Sequence, residues 1–484
     1  MLNPRPARLR ILPRLIAVIA GIYAFCWVSG FPREYDDDEL PQKPNSPHNS
    51  PKAALDQVVV SIKTTALDAF TKLPPILIFT NSIYYDTLLL MSDLETDIGG
   101  FHIHDVFHNC PEDFIATNPD FERYRQQVNM AQHSIDLGLL REQDERREQD
   151  IIDKLDKYKY LRMLEKAWEL KPKKSWYVFV DTDTHVFRNN LYTWLGRYDP
   201  RTPTWFGNPP RGDDPDPFGY GGTMFVLSGE AMRQLLVAHK NVVAEWDARI
   251  ADHDSGFDVL FSVLSSQLDL GVDSMWPELS GFNPKTLPYG PDIWCEEVVA
   301  LGNIQPDDAS EAWRLERERT EWHHIRTPLT FEDVWKRFIQ PEDMFLPREN
   351  WDNLSSGPGN AKYNILFEGM EHNKHADAHL HRHEHRDAVR QAQRGEDSWE
   401  ACRESCNNHE RCVQFSYSST PAPNWNANGE TRCHLSTSMR MGGFRDAEEV
   451  KLDGQKERRI WKSGWRRDRF EDWAKQQRCK NQQN

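Results

Sequence analysis

Apolar residues in this chain fall into short unbroken runs separated by longer amphipathic stretches. Val58-Val59-Val60, Ile76-Leu77-Ile78-Phe79 and Trp176-Tyr177-Val178-Phe179-Val180 are each bounded by polar clusters. That is the pattern of parallel strands buried on both faces. The stretches between them read as helices, the longest over residues 137–170. There Glu142 and Arg146, like Asp153 and Lys157, stand four apart, the spacing of a charged, solvated helix face. Strands alternating with helices over about 280 residues predict an α/β domain with a mainly parallel sheet.

The pattern changes toward both ends. Residues 15–31 carry no formal charge, and Arg5, Arg8, Arg10 and Arg14 precede them with no acid before Glu34. Seventeen residues is the lower limit for a membrane-spanning helix. The arginines place the short tail in the cytosol and the rest of the chain in the lumen. A cleaved signal peptide is the rival reading, but residues 27–30 offer no small-x-small cleavage site. Domains are therefore expected as follows: tail and single membrane anchor at 1–31, flexible stem at 32–57, α/β domain at 58–345, linker at 346–395, cysteine module at 396–465 and basic tail at 466–484. The linker carries His372, His375, His379, His381, His383 and His385, read as a hydrated linker or exposed helix rather than a metal site because no cysteine or carboxylate geometry accompanies them. Asn353-Leu354-Ser355 is a glycosylation sequon within it.

Composition narrows the function classes. Hydrophobic residues make up 38% and charged residues 28%, enough for a core with long solvated stretches. A net charge of -16 argues against a nucleic-acid partner, whose phosphates would be repelled. Four of the eight cysteines, Cys402, Cys406, Cys412 and Cys433, lie close together, which points to a small disulfide-stapled module in an oxidising compartment. Four cysteines allow three pairings, and a zinc site is the alternative.

The chemistry centres on Asp181-Thr182-Asp183-Thr184-His185, directly after the Trp176-to-Val180 run. Buried strands deliver ligand-binding groups at their carboxyl ends. Two carboxylates there are hard ligands for Mn2+ or Mg2+, ions that keep positions open for phosphate oxygens. Such an ion stabilises a departing diphosphate when a sugar is transferred from a nucleotide.

With its neighbours, this segment resembles a known family. Lys159-Tyr160-Leu161-Arg162-Met163-Leu164-Glu165, the Trp176-to-Phe187 segment and Gly219-Tyr220-Gly221-Gly222-Thr223-Met224-Phe225 together are similar to the inverting β-1,3-glycosyltransferases of family 31. These include the fringe and core-1 galactosyltransferase types, and the fungal branch looks nearest. Further matches lie around Lys63, Asp93 and the pair His323-His324. The resemblance spans about residues 58–340.

It implies a GT-A-type nucleotide-sugar-binding domain with a UDP-sugar donor, galactose before GlcNAc, and a glycan or glycoprotein acceptor. It further implies a Golgi membrane protein with its catalytic domain in the lumen. Asp183 is then the Mn2+ ligand, with Asp181 beside it and His324, or else His323, completing the protein share. Lys63, Asp93, Asp181, Thr182, Gly221 and Gly222 are expected around the nucleotide sugar. Thr182 replaces the family's middle carboxylate. The general base of the family opens a helix, which points to Asp258, with Asp254 second or serving as a helix N-cap. The cysteine segment resembles part of a PAN/apple domain, an accessory module for glycan or protein binding; Cys406–Cys412 nested within Cys402–Cys433 is one of its pairings. Two other classes remain: a catalytically inactive lumenal binding protein, and a different metal enzyme such as a hydrolase.

Overall fold

The computed structural model describes residues 55–208, 224–322, 327–355, 364–366, 397–421, 430–452, 455–477 and 479. The apolar run at 15–31, the stem up to residue 54 and the histidine-rich tract lie outside them. Among the described residues no helix is long and apolar enough to cross a membrane.

The N-terminal part runs β1 (Val58–Lys63), α1 (Ala69–Phe79), β2 (Leu88–Ser92), β3 (Thr96–Ile98), β4 (Phe101–Asp105), α2 (Glu145–Leu170) and β5 (Trp176–Asp181). It continues with β6 (Trp205–Gly207), β7 (Met224–Ser228), α3 (Gly256–Leu268) and β8 (Asp273–Ser274). These strands form one eight-stranded sheet in the order β3-β4-β2-β1-β5-β7-β6-β8. Pairing is parallel from β4 through β2 and β1 to β5. It turns antiparallel at β7 and β6, and again at β3. The fold is α/β as expected, but the sheet is mixed rather than mainly parallel. Hydropathy marks buried strands without marking their direction.

Side chains alternate between the two faces. Val59, Tyr177 and Phe179 pack against Leu155, Leu161 and Leu164 of α2. Val58, Val60, Val178 and Val180 pack on the other face with Ala69, Leu73 and Leu77 of α1. This corrects the reading of Ile76-Leu77-Ile78-Phe79 as a strand. The run ends α1, whose buried residues recur every fourth position, while Ile78 is 75% exposed. Leu88–Ser92 supplies the strand instead. The long helix starts at Glu145, capped by Asp144, rather than at 137. Its charges are not all solvated either: Lys157, Lys159 and Arg162 are buried, and Lys157 pairs with Asp120 at 3.4 Å instead of with Asp153.

The C-terminal part contributes β9 (Arg348–Glu349), β10 (Asn364–Leu366), α4 (Trp399–Asn408), β11 (Gln414–Thr420), β12 (Glu430–Ser436), β13 (Gln455–Trp465) and α5 (Arg467–Gln476). Its sheet runs β9-β13-β11-β12-β10, so it draws strands from residues that hydropathy assigns to the linker. Cys402–Cys433 and Cys406–Cys412 are disulfides, which removes the zinc alternative for these four. A third bridge, Cys295–Cys479, joins segments 184 residues apart.

The C-terminal part shares a core with the body: Tyr289, Trp294 and Trp335 pack with Met439, Met441 and Phe470 of α5. The basic tail is thus partly a docked helix. The Asn353 sequon is not an exposed acceptor. Asn353 is fully buried, and its side-chain amide donates to the carbonyls of Phe415 (3.1 Å) and Gly464 (3.3 Å).

Candidate active site

The register of the central strands sets the first part of the site. Lys63 ends β1 opposite Asp181, which ends β5. Both continue the alternation that faces α2, so both meet that helix where Asp156, Lys159 and Tyr160 lie. Lys63 Nζ is ion-paired with Asp156 and lies 3.2 Å from Asp181 Oδ1. It also stands over the Tyr160 ring, 4.8 Å from its centroid. Lys159, 1% exposed, reaches Asp156 (3.4 Å), Asp93 (3.5 Å) and the Thr64 carbonyl (3.2 Å). Asp93 in turn accepts from the Ala66 amide at 2.6 Å. Two cations therefore face three carboxylates in one connected cluster.

The electrostatics follow from that packing. Burial opposes the Lys63 charge, but Asp156 and Asp181 outweigh it and hold the ammonium well above the usual lysine value. Burial likewise works against ionised Asp156, and Lys63 and Lys159 override it to keep its carboxyl low. Asp181 goes the other way. Burial pushes it up to about 6; Lys63 opposes this, and Asp156 and Asp183 add repulsion. Its side chain still keeps 32% of its surface accessible, so a ligand can reach it.

The second part of the site follows at once in the chain. Beyond Asp181 a turn closes with the Thr184 amide donating to the Asp181 carbonyl at 3.1 Å. The Asp183 carbonyl is held by the Ile304 amide at 2.9 Å, and His185 pairs with Leu301 in a short second sheet. Asp183 Oδ1, Thr184 Oγ1 and His185 Nε2 are buried without a hydrogen-bond partner, as is Arg188 Nη1. His185 is pushed down to about 4 by burial and by the Arg188 charge, so its ring is neutral at pH 7. Orphaned buried polar atoms cost free energy and are uncommon. Three on consecutive residues, at the carboxyl end of a central strand, suit a ligand that supplies the missing partners. An oxygen of Asp183 free to coordinate fits a hard divalent cation.

The helix expected to carry the base packs on α2 beside Tyr160. Gly256 begins α3 against the Tyr160 ring: a Cβ there would stand 2.0 Å from Tyr160 Cδ2, so only glycine allows this approach. Tyr160 thus touches both Lys63 and the start of α3. Lys157 pins the preceding segment by donating to the carbonyls of Ala251 (3.2 Å) and His253 (3.4 Å). The N-cap is Ser255, not Asp254: its hydroxyl oxygen accepts from the Asp258 amide at 3.2 Å, while Asp254 is exposed one residue earlier. Asp258 lies in the first turn, and its Oδ2 accepts from the Ser255 hydroxyl at 2.9 Å.

Of the expected residues, Lys63, Asp93 and Asp181 are in one cluster, and Thr182 and Asp183 are on the adjoining turn. Gly221, Gly222, His323 and His324 lie outside the described residues. Sequence reasoning passed over Asp156 and Lys159 as site residues. Their signal was a charged pair three apart inside the apolar stripe of Leu155, Tyr158 and Leu161, where an uncompensated charge is not tolerated. Neither a protein-family profile nor a curated protein matches this chain.

Proposed function

We propose that the chain is a metal-dependent inverting glycosyltransferase with a GT-A-type domain. It moves a sugar, galactose first and GlcNAc second, from a UDP donor to a glycan or glycoprotein hydroxyl in β-1,3 linkage. The observation that carries this reading is the unpaired Asp183 Oδ1, next to Thr184 Oγ1 and His185 Nε2 in the same state, on the turn after β5. Asp183 is the residue to hold Mn2+, which when bound supplies Lewis-acid neutralisation of the departing diphosphate. Lys63, fixed by Asp156 and Asp181, places a permanent positive charge beside that position. Asp258 is the carboxylate to take the proton of the acceptor hydroxyl, and its hydrogen bond from Ser255 orients it. In this reading the chain is a Golgi type II membrane protein anchored by residues 15–31.

The test is UDP release from UDP-galactose and UDP-GlcNAc, with and without Mn2+ and a glycan acceptor. Asp183→Ala should lower turnover by about 100-fold or more, with an unchanged melting temperature in EDTA. Wild-type turnover in that variant would sink the assignment. A second reading, an inactive lumenal glycan- or protein-binding relative, is favoured by Thr182 in the place of a carboxylate. It predicts UDP-sugar binding without UDP release.

A further inference from the structure

The hairpin β3–β4 lies at the edge of the main sheet, away from the β1–β5 junction in strand order. Its two-residue Gly99-Gly100 loop, with Gly99 at φ +59°, joins strands in which Asp97 stands opposite His102 and Thr96 opposite Ile103. Alternation then puts His102 and His104 on one face, while Ile103 between them is fully buried on the other. Glu95 precedes β3 by one residue and reaches the same face.

Ligand atoms of Glu95, His102 and His104 all lie within 4.8 Å of one another. His102 Nε2 contacts Glu95 Oε1, while its Nδ1 meets Asp97 Oδ1 at 2.8 Å. Glu95 Oε2 accepts from the Asp105 amide at 2.7 Å, which turns the other oxygen toward the imidazoles. The two rings meet edge-on with centroids 4.6 Å apart.

From this we infer that Glu95, His102 and His104 form a binding site for a borderline divalent cation, Zn2+ foremost, separate from the Asp183 turn. Two imidazoles and one carboxylate are the donor set of an open zinc site, with a fourth position for water. Oxygen-seeking Mn2+ is disfavoured by the same donors. Ligands around a tetrahedral zinc stand about 3.4 Å apart, so the exposed side chains need close by little more than about an ångström. Asp97, held on the far nitrogen of His102, is the carboxylate that orients a metal-bound imidazole. The site joins the end of β4 to the segment that carries Asp93, two residues before Glu95.

The test is calorimetric titration of the chelator-stripped full chain with Zn2+ alone. The histidine-rich tract also offers imidazoles to added zinc, so the reading is the difference between wild type and His102→Gln/His104→Gln. The double variant should lose one zinc equivalent and keep its metal-free melting temperature, since His102 is exposed and His104 only half-buried. Asp97→Asn should weaken that site by about 10–100-fold. Anomalous scattering at the zinc edge should place an ion between the three side chains. Equal zinc stoichiometry and affinity in the double variant overturns the inference, as does an anomalous map without a peak there.

Discussion

The turn after β5 divides the site into two regions of opposite character. Upstream, Asp181 belongs to a closed cluster in which Lys63, Lys159, Asp93 and Asp156 neutralise one another. Downstream, Asp183, Thr184, His185 and Arg188 each carry a buried polar atom without a partner. The regions are two residues apart and equally polar. The buried heart of that cluster, Lys159 with Asp93 and Asp156, is scaffold that fixes α2 to the ends of the β-strands, while Asp181 at its rim stays accessible. Unpaired groups are tolerated where a ligand completes them, so residue type alone does not distinguish the regions, and partnership does.

The largest effect expected from that contrast is on stability. Lys159→Met leaves Asp93 and Asp156 without the cation buried between them. Breaking a buried pair in this way costs about 3–5 kcal/mol. Asp183→Ala removes a buried atom that has no hydrogen bond to lose, and should change unfolding free energy by less than about 1 kcal/mol. Chemical denaturation of both variants in EDTA makes the comparison. Equal losses would mean that the downstream region is scaffold as well.

A smaller effect concerns pH, and it belongs to the unpaired region. Glu316 accepts from the Asn189 amide at 2.9 Å, close to Arg188. Burial pushes its carboxyl up to about 7, against that amide and the Arg188 charge. The folded chain therefore holds a proton that the unfolded chain has released above about pH 4.3. The stability it contributes is complete below that pH and is lost as pH rises through about 7. Because the residue is only half-buried, the loss should be about 2 kcal/mol rather than the full linkage value. Glu316→Gln should flatten the stability profile between pH 5 and 8. A profile unchanged by the substitution would mean that Glu316 ionises as it does in the unfolded chain.

How much of this was legible in the sequence depended on whether the signal was local. Trp176 to Asp181 reads as a buried strand ending in acid because the run is unbroken and β-branched or aromatic. Ile76 to Phe79 looks alike over four residues, yet the buried positions of that helix are Ala69, Leu73 and Leu77, and Ile78 is exposed, so the period separates helix from strand only over a longer window. The contact of Lys63 with Asp181 depends on register across 118 residues, and the Cys295–Cys479 bridge on a chain reversal no spacing encodes. Lys159 sits in a charged helical segment, and its burial becomes visible only once α2 is placed on the sheet. The burial of Asn353 likewise follows from its hydrogen bonds to β11 and β13, which a three-residue sequon cannot report.

The smallest effects on stability lie at the start of α3, which packs against Tyr160 beside the Lys63 cluster. Ser255 caps the helix, and its hydroxyl also donates to Asp258. Ser255→Ala removes both contacts and should cost about 1 kcal/mol. Asp258→Asn keeps an oxygen that accepts from Ser255, so its stability should stay within about 0.5 kcal/mol of wild type. If Asp258 is only part of the cap, transfer should follow stability, and Ser255→Ala should be the slower variant. If Asp258 is the base, the order inverts. The amide cannot take a proton, so transfer should fall about 100-fold or more while UDP-sugar affinity holds, because the Asp183 turn is untouched. Ser255→Ala should then lose only a few-fold, through a less well-oriented carboxylate. Asp254→Asn, one residue before the cap and exposed, should change neither quantity. Measuring denaturation midpoints, UDP-sugar affinity and initial transfer rates for all three variants separates a capping carboxylate from a catalytic one, and a dead Asp254→Asn beside an active Asp258→Asn would move the base by four residues.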